Sequence, residues 1–149
     1  MRVGEYCNRE VVVIDAASSV TEAARVMREF HVGDVVVVER KYGKQIPTAT
    51  NSSAMSRSVS IPVGTDPETI SVGDAMSFEL VTVDLDDDLM HVIEMMRDKG
   101  VRRVPVVDAD DALVGILSVD DVLDLLSEVL IDIVHLVDSQ RRRETRTRP

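Results

Sequence analysis

Apolar positions change their spacing along this chain in a recognisable order. Leu80 to Val83 form a short β-rich run, after which Asp86, Asp87 and Asp88 supply capping acids for a helix start. Leu89, Val92, Ile93 and Met96 then recur at helical spacing, one apolar stripe that Gly100 ends. Val104 to Val107 is a continuous apolar run of the kind a buried strand needs. Asp108 to Asp111 predicts a turn, and Leu113 to Leu117 the next strand. Ser118, with Asp120 and Asp121, opens a long last helix.

The same order, strand, helix, strand, strand, helix, runs from Val11 to Pro47. Sliding the sequence by 69 positions sets Val3-Gly4-Glu5 on Val72-Gly73-Asp74 and continues without a gap to Val38 on Val107. A register held this long is an internal duplication. The predicted fold class is therefore α/β (α+β in some schemes): two β-α-β-β-α repeats packed with pseudo-twofold symmetry. Residues 1–70 form the first repeat, 71–130 the second, and 131–149 the end of the last helix with a basic, disordered tail. The first copy loses its pattern from Thr48 to Ile61, which is rich in Ser and Thr and lacks an apolar stripe. A loop or weak helix is expected there.

Composition narrows the partners. Hydrophobic residues make up 44% of the 149 and aromatics only 3%, so the core must be built from Val, Ile, Leu, Met and Ala. Formal net charge is −10, but the C-terminal end holds five Arg against the single acid Glu144. Setting these aside from the 17 basic and 27 acidic side chains of the whole leaves the body near −14. An acidic body repels phosphate backbones, so DNA is not an expected partner, and the Arg tail reads as a solvated charge run. The single cysteine, Cys7, excludes an internal disulfide. With no apolar leader at Met1 to Ala16 and no apolar run near 18 residues, a soluble cytoplasmic protein with no membrane partner is the expectation.

Candidate chemistry is sparse. His31, His91 and His135 are scattered, and no metalloprotease, CxxC, nucleophile-elbow or phosphate-loop motif occurs, so neither catalytic residues nor a metal site are expected. Asp86 to Asp88 point in different directions on a helix start and read as caps. Ser118 and Asp121 have two readings. The Ser hydroxyl and the free N–H groups of the first helical turn suit a phosphate or ribose oxygen, and the Asp carboxylate suits two ribose hydroxyls; or the pair merely caps the helix. Arg102 and Arg103 suit phosphate oxygens, or pair with nearby acids. Pro105, read at a strand start, suits an adenine face.

The segment from Gly100 through Arg102-Arg103-Val104-Pro105 to Asp108, followed by Gly115-Ile-Leu-Ser-Val-Asp-Asp121, resembles the signature of cystathionine-β-synthase (CBS) domains. Two copies resemble a CBS pair, or Bateman module, most like small stand-alone bacterial CBS-pair proteins. The resemblance implies two clefts between the repeats. One would join Ser118 and Asp121 to Val12, Val13, Gly33, Asp34 and Val36. The other would join Val81, Thr82, Arg102, Arg103 and Pro105 to a degenerate first-copy turn, where Ser52 keeps a hydroxyl and Met55 replaces the ribose aspartate.

The resemblance further implies a non-catalytic regulatory or signal-transduction module. Its ligand would contain adenosine (AMP, ADP, ATP, S-adenosylmethionine or NAD), acting as a regulatory ligand and not as an obligatory cofactor. The effector protein is not identified. The alternative is a dimerisation scaffold that has lost nucleotide binding. Val122, Leu123, Leu126, Val129, Leu130, Ile133, Val134 and Val137 make a stripe too wide for one small domain to cover, so a homodimer through these helices is expected.

Overall fold

A computed structural model of the chain describes residues 1–52, 66–75 and 80–147. The first repeat contains β1 (Val13–Asp15), α2 (Val20–Glu29), β2 (Asp34–Lys41) and β3 (Lys44–Ser52). The second contains β4 (Val83–Asp84), α4 (Leu89–Lys99), β5 (Arg103–Val107), β6 (Leu113–Ser118) and α5 (Val119–Thr147). Short leading helices, α1 (Val3–Tyr6) and α3 (Val72–Ala75), precede the two repeats.

Each repeat holds a three-stranded sheet, β1-β2-β3 or β4-β5-β6, with its first pair parallel and its second antiparallel. The 69-residue step carries one sheet onto the other. Ile14 pairs with Val37 as Val83 pairs with Val106, and the antiparallel ladder is interrupted between Val37 and Val38 as between Val106 and Val107. Asp34 lies opposite Ser52 as Arg103 lies opposite Ser118, so the strand register assigns Ser52 the backbone position of Ser118.

Strand alternation divides the Val runs between two faces. Val35 and Val37 pack with Ile14 and Ala23 under α2, and Val104 and Val106 pack with Leu89, Val92, Met96 and Leu117 under α4. Burying each such side chain stabilises the fold by roughly 1.5–3 kcal/mol. Val36, Val38, Pro105 and Val107 point the other way yet are also buried, in neither helix-covered cluster. That face of each sheet is turned toward the other repeat, where β3 runs beside β6 and Lys44 pairs with Asp110.

The leading segments cross over. Val3 is fully buried in the second repeat's cluster, and its N–H donates to Asp87 O at 3.0 Å; Val72 is buried in the first repeat's cluster, and its N–H donates to Ser18 O at 2.7 Å. The approach is close: a Cβ on Gly4 would lie 2.9 Å from Leu85 Cδ2 and 3.1 Å from the Leu85 carbonyl oxygen.

Four expectations need correction. The strand expected from Leu80 to Val83 pairs only over Val83–Asp84. In the first repeat the Val36 N–H reaches Val12 O at 3.0 Å; the equivalent residue, Pro105, has no N–H to donate to Val81. Pro105 itself lies in mid-strand, opposite Ile116, and not at the strand start. Thr48 to Ser52 extend β3 instead of forming a loop or weak helix, because β2, a buried Val run, needs a ladder partner for its polar backbone groups. The rest of that stretch, with Met55, lies outside the described residues. Finally, α5 continues through Arg141, Arg142 and Arg143 to Thr147, so that part of the tail is helical. No Gly or Pro interrupts it, and Arg near a helix C-terminus complements the dipole.

Candidate functional site

Ser118 ends β6 and begins α5, so its side chain sits at the sheet edge beside the free N–H groups of a helix start. Its hydroxyl donates to Asp121 Oδ2 at 2.6 Å and accepts from the Asp121 N–H at 3.2 Å, and its own N–H donates to the same carboxylate oxygen at 2.8 Å. This is a reciprocal capping box with Asp in the third helical position. Ser118 is only 9% exposed. Asp121 Oδ2 is occupied by the cap, while Oδ1 has no hydrogen-bond partner among the described residues. The capping reading therefore holds, and the cap leaves the second carboxylate oxygen unused.

Facing this turn, the end of α2 delivers His31, Gly33 and Asp34 from the first repeat. Asp34 is 12% exposed; its Oδ1 lies 3.5 Å from Arg103 Nε, and the same guanidinium reaches Asp120 at 3.7 Å. Burial pushes the Asp34 carboxyl above its ordinary range, and the neighbouring Arg103 charge partly offsets this. A third wall comes from the segment after α1, where Asn8 exchanges backbone hydrogen bonds with Ile116 at 2.8 and 2.9 Å. Gly115 permits this approach, since a Cβ there would lie 2.8 Å from Cys7 Sγ and 2.9 Å from Asn8 O.

These walls enclose a cleft of about 310 Å³ between the repeats. Ser118, Asp121, Val12, Gly33, Asp34 and Val36 all line it. Val13 does not, although it pairs with Val36 and so shares that residue's face of the sheet. Arg103, expected in the opposite cleft, lines this one because Asp34 and Asp120 draw its guanidinium there. The other members expected with it do not line this cleft. Val81 packs against the second repeat's core, Thr82 and Arg102 are exposed, and Pro105 is buried. The side chain of Ser52 lies outside the described residues.

His31, Glu10 and Asn8 were not singled out from sequence. His31 had a legible signal. It stands 69 residues before Gly100, and both adopt the left-handed conformation that ends their helices, φ 53° for His31 and 67° for Gly100. A side chain kept where its twin is glycine is strained backbone at the edge of a cleft. Asn8 and Glu10 carry no such signal, because only the crossover of the leading segment brings them here.

No cluster of three metal-binding side chains occurs among the described residues, and no helix there is long and apolar enough to cross a membrane.

The model of the CBS domain family matches residues 3–46 and 72–128. An uncharacterized Methanopyrus kandleri protein is 34% identical over 121 residues, 81% of this chain but only 60% of that protein's length. The CBS domain-containing protein YhcV of Bacillus subtilis is 29% identical, over 80% of this chain and 81% of YhcV. Among solved structures, the cytosolic domain of the Mg2+ channel MgtE in complex with ATP aligns with a TM-score of 0.69 at 29% identity, covering 83% of this chain and 48% of that one. The two matched segments begin at Val3 and Val72, the same step that carries one sheet onto the other, and so the chain belongs to the CBS domain family as a tandem pair.

Proposed function

We propose that this chain is a non-catalytic regulatory module that binds an adenosine-containing ligand in the cleft between its repeats. CBS pairs are generally regulatory modules, which supports the first half of that reading. The second half rests on one observation: the Ser118–Asp121 turn of the second repeat faces Val12, Gly33 and Val36 of the first across about 310 Å³. That volume is at the lower end of the range of roughly 300–1,000 Å³ for small-molecule sites. Asp121 Oδ1 accepts from the ribose, the apolar wall of Val12, Val36 and Ile116 takes the base, and Arg103 meets the group attached to the 5′ carbon. The ATP held by the MgtE neighbour supports an adenine ligand as a class.

Charge ranks the candidates. Glu10, Asp34 and Asp121 oppose one guanidinium, so the cationic S-adenosylmethionine is favoured over the anionic nucleotides, and among these AMP is less disfavoured than the more highly charged ATP. Calorimetric titration with AMP, ADP, ATP, S-adenosylmethionine and NAD, repeated on Asp121→Ala, tests the reading. No heat from any of them, or unchanged binding by the variant, defeats it.

A specific observation also favours assembly. Leu123, Leu126, Leu130 and Ile133 of α5 are each more than half exposed in the single chain. Covering them calls for a second copy, and a homodimer is the proposed state.

A further inference from the structure

The exposed face of α5 carries a charge pattern as well as an apolar one, and together they specify how two copies meet. Leu123, Leu126, Leu130, Ile133 and Val137 alternate in steps of three and four, the seam of a two-helix coiled coil, and Gln140 continues it. All five apolar seam residues are at least 42% exposed. Acids dominate the first half of the helix, with Asp120, Asp121, Asp124, Glu128 and Asp132; Arg141, Arg142 and Arg143 stand near its end. Side by side in parallel, two such helices would stack arginines on arginines and acids on acids.

We infer that two copies of this chain pair through α5 in antiparallel orientation, with Asp120 of each helix against the partner's Arg141. This rests on the homodimer reading above and adds its geometry. The seam residues set the register: Leu123 packs against the partner's Gln140, Leu126 against the partner's Val137, and Leu130 against the partner's Ile133. On one flank of that seam Asp120 meets the partner's Arg141, twice by symmetry. On the other, Val129 meets the partner's Leu136, which accounts for the exposure of these two residues outside the seam. Asp120 also lies 3.7 Å from Arg103, so the pairing brings a partner's guanidinium next to the charged rim of the cleft.

A charge swap tests this. Residues 120 and 141 of one helix are about 31 Å apart at 1.5 Å per residue, as they would also be between parallel copies. Asp120→Arg alone and Arg141→Glu alone should each weaken the dimer about tenfold or more at low salt, measured by sedimentation. The double variant Asp120→Arg/Arg141→Glu should restore it, and only antiparallel pairing allows that. A folding-independent check uses Cys7→Ala chains carrying either Leu123→Cys or Gln140→Cys. Mixed and oxidised, they should cross-link to each other and neither to itself. A chain that sediments at its monomer mass of 16.5 kDa at micromolar concentration overturns the pairing together with the homodimer. A dimer without rescue, or one whose cysteine variants link to themselves, overturns the antiparallel geometry alone. Neither result bears on ligand binding in the cleft.

Discussion

Asp34 and Arg103 occupy equivalent positions in the two repeats, 69 residues apart, and their side chains meet across the interface, Oδ1 to Nε at 3.5 Å. In a strictly symmetric pair these two sites would carry the same residue. Divergence to opposite charges converts repulsion into an ion pair and pulls Arg103 into the cleft that Ser118 faces. The two clefts are made unequal at this position.

The pair has a pH signature. Burial raises the folded-state pKa of Asp34 above its unfolded value, only partly offset by Arg103. The folded chain therefore holds that proton more tightly than the unfolded chain. The stability Asp34 contributes is fully present below its ordinary value of 3.8 and is lost as pH rises through the folded pKa. Asn at this position has no such loss. In urea unfolding at pH 4 and pH 7, the stability of Asp34→Asn relative to the parent should be more favourable at pH 7. Arg103→Ala, which removes the offsetting charge, should steepen the parent's own decline. A difference between Asp34→Asn and the parent that does not move with pH refutes the burial argument.

Ser118 and Asp121 carry a stability role that is separable from binding. Ser118→Ala removes the hydroxyl from the capping box of a 29-residue helix. The expected cost is about 1 kcal/mol, a lowering of Tm by roughly 2–4 °C for a chain of this size. Thermal melts without ligand measure it. An unchanged melt would mean the helix start is held by β6 and the core alone.

His31→Gly should do the opposite. Gly at the left-handed helix end removes the crowding a side chain suffers there, and the gain is only partly offset by the extra freedom of Gly in the unfolded chain. The net is a stabilisation of roughly 0.5–1 kcal/mol. If His31 contacts ligand, the same change weakens binding, so stability and affinity move in opposite directions. Melts and calorimetry on one sample decide it; loss of stability would show that the imidazole, and not the backbone, matters at this corner.

The parts of the fold that were legible in sequence are those set by local chemistry. Asp88 caps α4 by accepting from the Met90 and His91 N–H groups, and Gly100 ends it, as the spacing implied. The duplication carried the strand register with it, including the place of Ser52. What was not legible depends on contacts distant in sequence. Nothing local reveals that Val3 packs with Leu89, or that Asn8 borders the cleft. The family resemblance puts Arg103 in the opposite cleft and takes no account of Asp34, which draws it into this one. Pro105 departs from its expected place for a simpler reason: it lies within a strand, and its missing N–H shortens the neighbouring strand instead of its own.

The leading segment's place at the cleft gives a last prediction. Gly115 lies where Cys7 and Asn8 pass over β6, and an added methyl would lie 2.8 Å from Cys7 Sγ and 2.9 Å from Asn8 O. A sulfur can be removed, but the carbonyl belongs to a bridge whose partner bonds are 2.8 and 2.9 Å long. Gly115→Ala should therefore destabilise by about 1–3 kcal/mol, the usual cost of overpacking a fitted site, and should weaken ligand binding by displacing Asn8 from the wall. Adding Cys7→Ala should return part of the stability and little of the binding, because only the sulfur clash is relieved. Chemical denaturation and titration of the single and double variants separate the two effects. Full recovery of both would mean that Asn8 is not held against Ile116 and takes no part in the cleft.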